Sequence, residues 1–135
     1  MVPAYKEETQ ILRVIDTMPA HVDHIVIIDD CSPDKTGDIV AERAKTDSRV
    51  VLIRHKKNQG VGGAIASGYE WARDNNMDAA VVMAGDGQMD PDDMPALLDA
   101  VFDDGVNYSK GNRLWHPDAL KMIPKVRSSK RSSRK

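Results

Sequence analysis

The stretch HIVIIDDCSPD, residues 24–34, decides how this chain folds. After His24 comes a short run of apolar, β-branched residues, and the sequence turns abruptly polar at Asp29 and Asp30. Such a run, bounded by turn residues, is typical of a strand that is buried on both faces of a parallel sheet. Ligands of these sheets bind beyond the carboxyl ends of the strands. The two adjacent carboxylates are therefore the first candidate site residues, because they can accept hydrogen bonds from a ligand.

Helical and strand patterns alternate on both sides of this stretch. Apolar residues at helical spacing predict helices over 7–18, 34–46, 61–76 and 91 to about 103. Short apolar runs predict further strands over 50–55 and 79–84, and a further strand is expected over 106–111. Strands separated by helices indicate βαβ units with right-handed crossovers. The sequence therefore predicts an α/β fold built on a mostly parallel sheet.

The first residues, VPAYKE at 2–7, lead directly into the first predicted helix. We therefore expect a strand before Pro3 that the chain lacks except for Met1 and Val2. The expected sheet order is 3-2-1-4, with this absent strand at the centre. Unpaired buried backbone groups cost about 1–3 kcal/mol each, so we expect a marginally stable chain.

The composition indicates one folded domain with an acidic body. The 135 residues carry a net charge of −2, yet residues 127–135 hold five of the 19 basic residues and no acid. The remaining 14 basic residues stand against 21 acidic ones, which argues against a nucleic-acid partner. We expect a domain over 1–116 and a disordered tail over 117–135. No apolar stretch approaches the roughly 18 residues of a membrane span.

Two further segments carry candidate chemistry. AGDGQMD, residues 84–90, follows a predicted strand, and its Asp86 and Gln88 are hard oxygen ligands that suit Mg²⁺ or Mn²⁺ held with a diphosphate. The alternative is an ordinary turn rich in Gly and Asp. NQGVGGA, residues 58–64, opens a helix, where glycines either cradle phosphate or allow close packing. Asp34 is predicted to cap a helix rather than bind a ligand.

The order and spacing of these segments resemble those of family 2 glycosyltransferases of the GT-A type, and among them the polyprenyl-phosphate sugar transferases. The resemblance covers residues 2–114 and rests on the segments PAYKE at 3–7, DDCSPD at 29–34, NQGVGGA at 58–64, AGDGQMDP at 84–91 and GNR at 111–113. Three residues depart from the family pattern: Lys6 stands for Asn, Cys31 for Gly, and Ala84 for the first Asp of the metal motif.

The resemblance implies a Rossmann-like GT-A fold, a three-layer α/β/α arrangement. It also implies a site that binds a UDP- or GDP-linked sugar together with Mg²⁺ or Mn²⁺. Asp29 and Ile27 would contact the base, and Asp86 and Gln88 would bind the metal. The remaining donor-site residues implied by the resemblance are Pro3, Tyr5, Glu7, Gly85 and Arg113.

The same resemblance implies transfer of the sugar to an acceptor such as a dolichyl or undecaprenyl phosphate. No residue is assigned as the base that activates this acceptor, because the family places it after the segment that ends at Arg113. The expected location is the cytoplasm, or the cytoplasmic face of a membrane through parts of a longer parent protein. Two alternatives remain: a non-catalytic nucleotide- or metal-binding remnant of this fold, and a signalling domain resembling response regulators.

Overall fold

A computed structural model of the chain describes residues 1–111. Its elements in chain order are β1 (Val2–Ala4), α1 (Ile11–Asp16), β2 (Ile25–Asp29), α2 (Thr36–Ala44), β3 (Val50–Arg54), α3 (Gly60–Asp74), a 3-10 turn (Pro91–Asp93) and α4 (Met94–Phe102). The chain divides into two compact units, Met1–Pro95 and a second that begins at Ala96. All four predicted helices are present. Within the described range, no helix combines the length and apolar character that a membrane crossing needs.

The sheet of the first unit has three strands in the order β1-β2-β3, and both pairs are parallel. The middle strand, β2, is buried over its whole length. It pairs with β3 from Ile25 to Asp29 on one edge, and with β1 from Ile27 to Asp29 on the other. The parallel sheet predicted from the sequence is confirmed, as is the 3-2-1 part of the expected order.

Helices cover both faces of this sheet. Val26 and Ile28 of β2 pack with Ala64 of α3 on one face. Because side chains alternate along a strand, Ile27 and Asp29 belong to the opposite face, where α2 contacts β2 and β3. Helix α1 packs beside α2 through its buried residues. The three-layer α/β/α arrangement is therefore confirmed.

The strand that was expected to be missing before Pro3 is present as β1 itself. Its three residues pair with Ile27, Ile28 and Asp29, so the prediction of an absent central strand is wrong. A three-residue strand with a proline in the middle has no apolar run for the sequence pattern to detect. The unpaired edge of β2, on which the expectation of marginal stability rested, does not occur.

Two predicted strands do not form as regular strands. Residues 79–84 lie beside Met1 instead: the Met1 ammonium donates to the Val81 carbonyl at 2.7 Å, and the Met83 N–H donates to the Met1 carbonyl at 2.9 Å. Residues 79–84 thus lie beside the start of β1, where the expected order 3-2-1-4 has its fourth strand. Their described backbone pairing is limited to the two hydrogen bonds with Met1. Residues 106–111 have no ladder in the described part, and the Val106 N–H bonds to the Ala100 carbonyl at the end of α4. The predicted boundary between 116 and 117 lies outside the described residues.

Candidate functional site

Three separate segments meet at the carboxyl end of β1. The Lys6 N–H donates to Ser32 Oγ at 3.2 Å, and the Glu7 N–H donates to Thr36 Oγ1 at 2.9 Å. Gly85 lies so close to β1 that an added Cβ would be 3.1 Å from the Pro3 carbonyl oxygen and 3.4 Å from Glu7 Cγ. The structure therefore brings Pro3, Glu7, Gly85 and the loop after β2 to one edge of the sheet, where the parallel-sheet rule expects a ligand.

Tyr5 stands exposed at this edge, with 44% of its surface accessible. The Lys6 ammonium lies 5.3 Å from the centre of its ring, within the range of a cation–π contact. An exposed aromatic face of this kind can stack on a nucleobase. Its role in nucleotide binding, like those of Pro3 and Glu7, stays a prediction.

Negative charge accumulates around Glu7. Burial raises the pKa of Glu7, and the nearby carboxylates of Asp86 and Asp34 raise it further. Burial would also raise the pKa of Asp34, but hydrogen bonds from the Thr36 hydroxyl and from backbone N–H groups bring it below its ordinary value. A bound cation would relieve this repulsion, since an opposite charge nearby stabilises the ionised form of a carboxyl group.

Thr36 is a structural residue of this edge that the sequence did not reveal. Its side chain is completely buried, and its hydroxyl donates to Asp34 Oδ1 at 2.6 Å while accepting the Glu7 N–H. Asp34 also accepts the Thr36 N–H at 3.0 Å, at the first residue of α2. Asp34 was predicted to cap this helix; its carboxylate does bond the first N–H of α2, but the N-cap position itself is Lys35. The sequence signal that could have revealed Thr36 is its spacing from Asp34, two residues earlier and just before a helix.

Asp29 and Asp30 lie on opposite faces of the sheet, because they are consecutive in a strand and its continuation. Asp29 Oδ1 accepts the Ser32 N–H at 3.0 Å, and its Oδ2 lies 3.9 Å from Arg54 Nε. Asp30 Oδ1 accepts the Gln59 N–H at 2.8 Å and contacts His55 Nδ1 at 2.7 Å. The two carboxylates therefore do not form the shared site that their adjacency suggested.

Asp30 anchors the start of α3 rather than facing a ligand. Burial would raise the pKa of Asp30, but the bonds from the Gln59 N–H, His55 and the Gly60 N–H outweigh it and lower this pKa. His55, whose side chain is 6% exposed, contacts Ser67 Oγ through Nε2 at 2.9 Å. The burial of His55 just after β3 becomes visible only in the fold.

Ile27 has no accessible surface in the structure. It lies in the middle of β2, paired with Val2 on one side and Leu52 on the other. A nucleobase has no surface of this side chain to contact in the observed arrangement. The burial of Ile27 therefore argues against its predicted role at the base.

The loop after residue 84 is a turn with an exposed carboxylate. Asp86 Oδ1 accepts the Gln88 N–H at 3.0 Å, and Gly87 between them has a φ of 69°. Gln88 lines a cleft of about 370 Å³ beside Arg13 of α1 and Thr17 just after that helix. Asp86 is not among the described residues that line this cleft. Within residues 1–111, no three His, Cys, Asp or Glu side chains are grouped to hold a metal ion.

This donor set suits a cation that is held mainly by its substrate. Mg²⁺ is usually bound by one or two carboxylates together with substrate phosphates and several waters. Asp86 supplies one exposed carboxylate, and the neighbouring Glu7 carries the charge that a cation would neutralise. A single exposed carboxylate such as that of Asp86 suits such an ion, and the metal-binding roles of Asp86 and Gln88 both stay predictions.

The departures at Lys6 and Cys31 share one backbone feature. Both residues have a φ of 60°, in the left-handed region that favours Gly and tolerates Asn. Asn and Gly are the residues that the family pattern carries at these two positions. The substitutions therefore place ordinary side chains where the loop requires a left-handed backbone.

We expect Cys31→Gly to raise the free energy of unfolding by about 0.5–1 kcal/mol, because glycine removes the left-handed strain at a smaller entropic cost. Thermal melting of the variant checks this expectation. Cys31→Ala is the matched control, since it removes the thiol but keeps the Cβ. A melt of Cys31→Gly at or below that of Cys31→Ala would show that the strain is not significant.

Comparison with known families shows that the segments at the sheet edge fall within the match to one family profile. Residues 1–134 match the profile described as glycosyl transferase family 2. The match includes every segment of the sheet edge. It also includes Arg113, which lies outside the described residues, so its predicted role at the donor site stays a prediction.

Several named proteins are similar to this chain. It is 33% identical over 92% of its length to the UDP-N-acetylglucosamine–dolichyl-phosphate N-acetylglucosaminyltransferase of Methanococcus voltae. It is 33% identical over 75% of its length to the undecaprenyl-phosphate mannosyltransferase of Micrococcus luteus. It is 31% identical over 84% of its length to the polyprenol monophosphomannose synthase of Mycolicibacterium smegmatis. The chain spans about half of the length of these curated relatives, namely 55%, 42% and 43%.

Proposed function

This chain belongs to glycosyl transferase family 2, and we propose from that premise that it binds the nucleoside-diphosphate sugar of a transferase acting on a polyprenyl phosphate. The observation that supports the proposal is the convergence of Glu7, Gly85 and the Asp29–Thr36 loop at one edge of the sheet. The names of the relatives supply the acceptor class, since two of them specify dolichyl or undecaprenyl phosphate.

The proposed roles divide between the base and the diphosphate. Asp29 would hold the base, while Pro3, Tyr5 and Glu7 would line the nucleotide pocket. Asp86 and Gln88 would bind the diphosphate through Mg²⁺ or Mn²⁺, and Arg113 would reach the phosphates directly. When bound, such an ion would stabilise the negative charge of the leaving nucleoside diphosphate. The UDP- or GDP-linked donor and the location at the cytoplasmic face of a membrane belong to the same proposal.

The first experiment tests donor binding itself. We expect calorimetry on residues 1–135 to show weak binding of UDP or GDP that becomes stronger with Mn²⁺, because the ion bridges the diphosphate to the acidic edge around Glu7 and Asp86. Inorganic diphosphate with Mn²⁺ is the control for binding without a base. Absence of heat with either nucleotide at millimolar concentration would contradict the proposal.

A second experiment separates a transferase from a non-catalytic relative of the same fold. A chain extended to the length of the relatives would be incubated with labelled nucleotide sugars and a polyprenyl phosphate. Metal-dependent labelling of the lipid would support the transferase. Nucleotide binding without any labelling would favour the non-catalytic alternative, and a signalling domain is not compatible with membership of this family.

A further inference from the structure

His55 lies just after β3 and holds the end of β2 through two separate contacts. Its backbone N–H donates to the Asp29 carbonyl at 2.9 Å, and its ring Nδ1 lies 2.7 Å from Asp30 Oδ1. The same ring contacts Ser67 Oγ through Nε2 at 2.9 Å. Because Ser67 belongs to α3, His55 ties together the ends of two strands and a helix.

The contacts of this ring form a buried hydrogen-bond network. Asp30 is 3% exposed, and the side chain of His55 is 6% exposed. When a neutral ring donates from Nδ1 to the carboxylate, its Nε2 accepts the proton of the Ser67 hydroxyl. Both ring nitrogens are then satisfied. A buried polar network whose members are all satisfied rigidifies the segments that it joins.

Aspartate, histidine and serine in this order of contacts also make up the catalytic triads of hydrolases. In such a triad the histidine passes a proton to the substrate, and the buried ring of His55 is not placed to do so. Ser67 lies inside α3, where backbone N–H groups are bonded along the helix rather than free to stabilise an oxyanion. The network is therefore a support for its neighbours.

The segment that His55 supports contains a strained residue. Cys31, directly after Asp30, has a φ of 60°. Its N–H donates at 2.9 Å to the Asp29 carbonyl, the same oxygen that accepts the His55 N–H. The Ser32 N–H then returns to the Asp29 carboxylate at 3.0 Å. Since a left-handed residue other than glycine persists only where its surroundings hold it, this turn depends on β3 as well as on β2.

We propose that His55 and Ser67 are positioning residues of the donor site, which contact no ligand but hold the turn after β2 in the conformation that binds the nucleotide. This inference rests on the proposed function, because the Asp29–Thr36 loop forms one side of the proposed site. Without the Asp30–His55 contact the turn is free to leave its strained conformation. The affinity of a ligand falls in proportion to the population of the binding conformation that is lost.

The experiment titrates residues 1–135 and variants of His55 with UDP and with GDP, each at saturating Mn²⁺. His55→Ala is expected to bind about tenfold more weakly, a loss typical of removing a supporting hydrogen bond behind a ligand site. His55→Asn carries an amide N–H near the position of Nδ1 and keeps a bond to Asp30, so its affinity is expected within about threefold of the wild type. His55→Gln carries its amide near Nε2, reaches only Ser67, and is expected to be as weak as His55→Ala.

Variants of Ser67 test the contact with α3. Ser67→Ala leaves Nε2 without its described partner and is expected to weaken binding about threefold, whereas Ser67→Thr keeps a hydroxyl and is expected to restore it. His24→Ala is the matched control, because His24 lies just before β2, at the opposite end from Asp30, and packs on Trp71 with ring centroids 5.4 Å apart. This control is expected to bind nucleotide with wild-type affinity.

Far-UV circular dichroism and denaturant titration give the folded fraction, so that affinities are compared for folded protein. A purely structural role predicts lower stability with unchanged affinity in every folded variant, and this result would overturn the positioning role while leaving the proposed function standing. Equal affinities of folded His55→Asn and His55→Gln would also overturn it, and this comparison stays decisive if His55→Ala does not fold. Absence of nucleotide binding by the wild type would contradict the proposed function, and this inference with it.

Discussion

Asp86→Ala is expected to abolish the effect of Mn²⁺ on nucleotide binding, whereas Asp29→Ala is expected to weaken binding both with and without the metal. The reason is that the two carboxylates belong to different strand ends and would contact different parts of the nucleotide. Hydrogen bonds to charged groups contribute about 1.5–3 kcal/mol, so a loss of about tenfold or more is expected for Asp29→Ala. Calorimetry with UDP, with and without Mn²⁺, measures both effects.

The controls separate chemistry from folding. Asp29→Asn keeps an oxygen that can accept the Ser32 N–H, and therefore retains the local loop while it removes the charge. Asp23→Ala removes an exposed carboxylate just before β2, at the opposite end from Asp29, and is expected to leave binding unchanged. Equal losses in Asp86→Ala and Asp29→Ala under both conditions would show that the assignment of metal and base to these residues is wrong.

Ile27→Ala is expected to lower the free energy of unfolding by about 2–5 kcal/mol, and Ile27→Val by about 0.5–1.5 kcal/mol. Ile27 is completely buried in the middle strand, so truncation leaves a cavity between β2 and the helices of that face. A domain of this size has only about 5–15 kcal/mol of stability in total, so the alanine variant should melt at a much lower temperature. Chemical denaturation of both variants measures the difference.

This pair of variants also decides the role of Ile27 at the base. If Ile27 is a core residue, the folded fraction of Ile27→Val should bind UDP with wild-type affinity. Val61→Ala is the control for stability, because Val61 is 67% exposed and its truncation should change stability by no more than about 0.5 kcal/mol. A weaker UDP affinity in Ile27→Val without loss of stability would restore the base contact that the resemblance implied.

Much of the fold followed from local pattern. The run at 25–29 gave β2, the run at 50–54 gave β3, and helical spacing gave the four helices with shifted ends. The two strands were predictable because burial on both faces of a parallel sheet requires a continuous apolar run. Strand β1 could not be predicted in this way, because three residues with a central proline form a strand only when a neighbouring strand is available to pair with them. Conversely, the segment 106–111 forms no strand in the described part, because a ladder requires a partner and not only β propensity.

The sequence by itself determined the family, the parallel α/β architecture, and the strand ends at which the candidate site lies. Only the tertiary structure decided what each carboxylate at those ends contacts. Alternation along β2 and its continuation sends Asp29 to the face of α2 and Asp30 to the face of α3, where Asp30 contacts His55 and His55 in turn contacts Ser67. The proximity of Glu7 to Asp86, and of Arg54 to Asp29, arises between segments that are distant along the chain. Motifs fix which chemical groups are present, but pairing and packing fix which of their atoms remain free for a ligand.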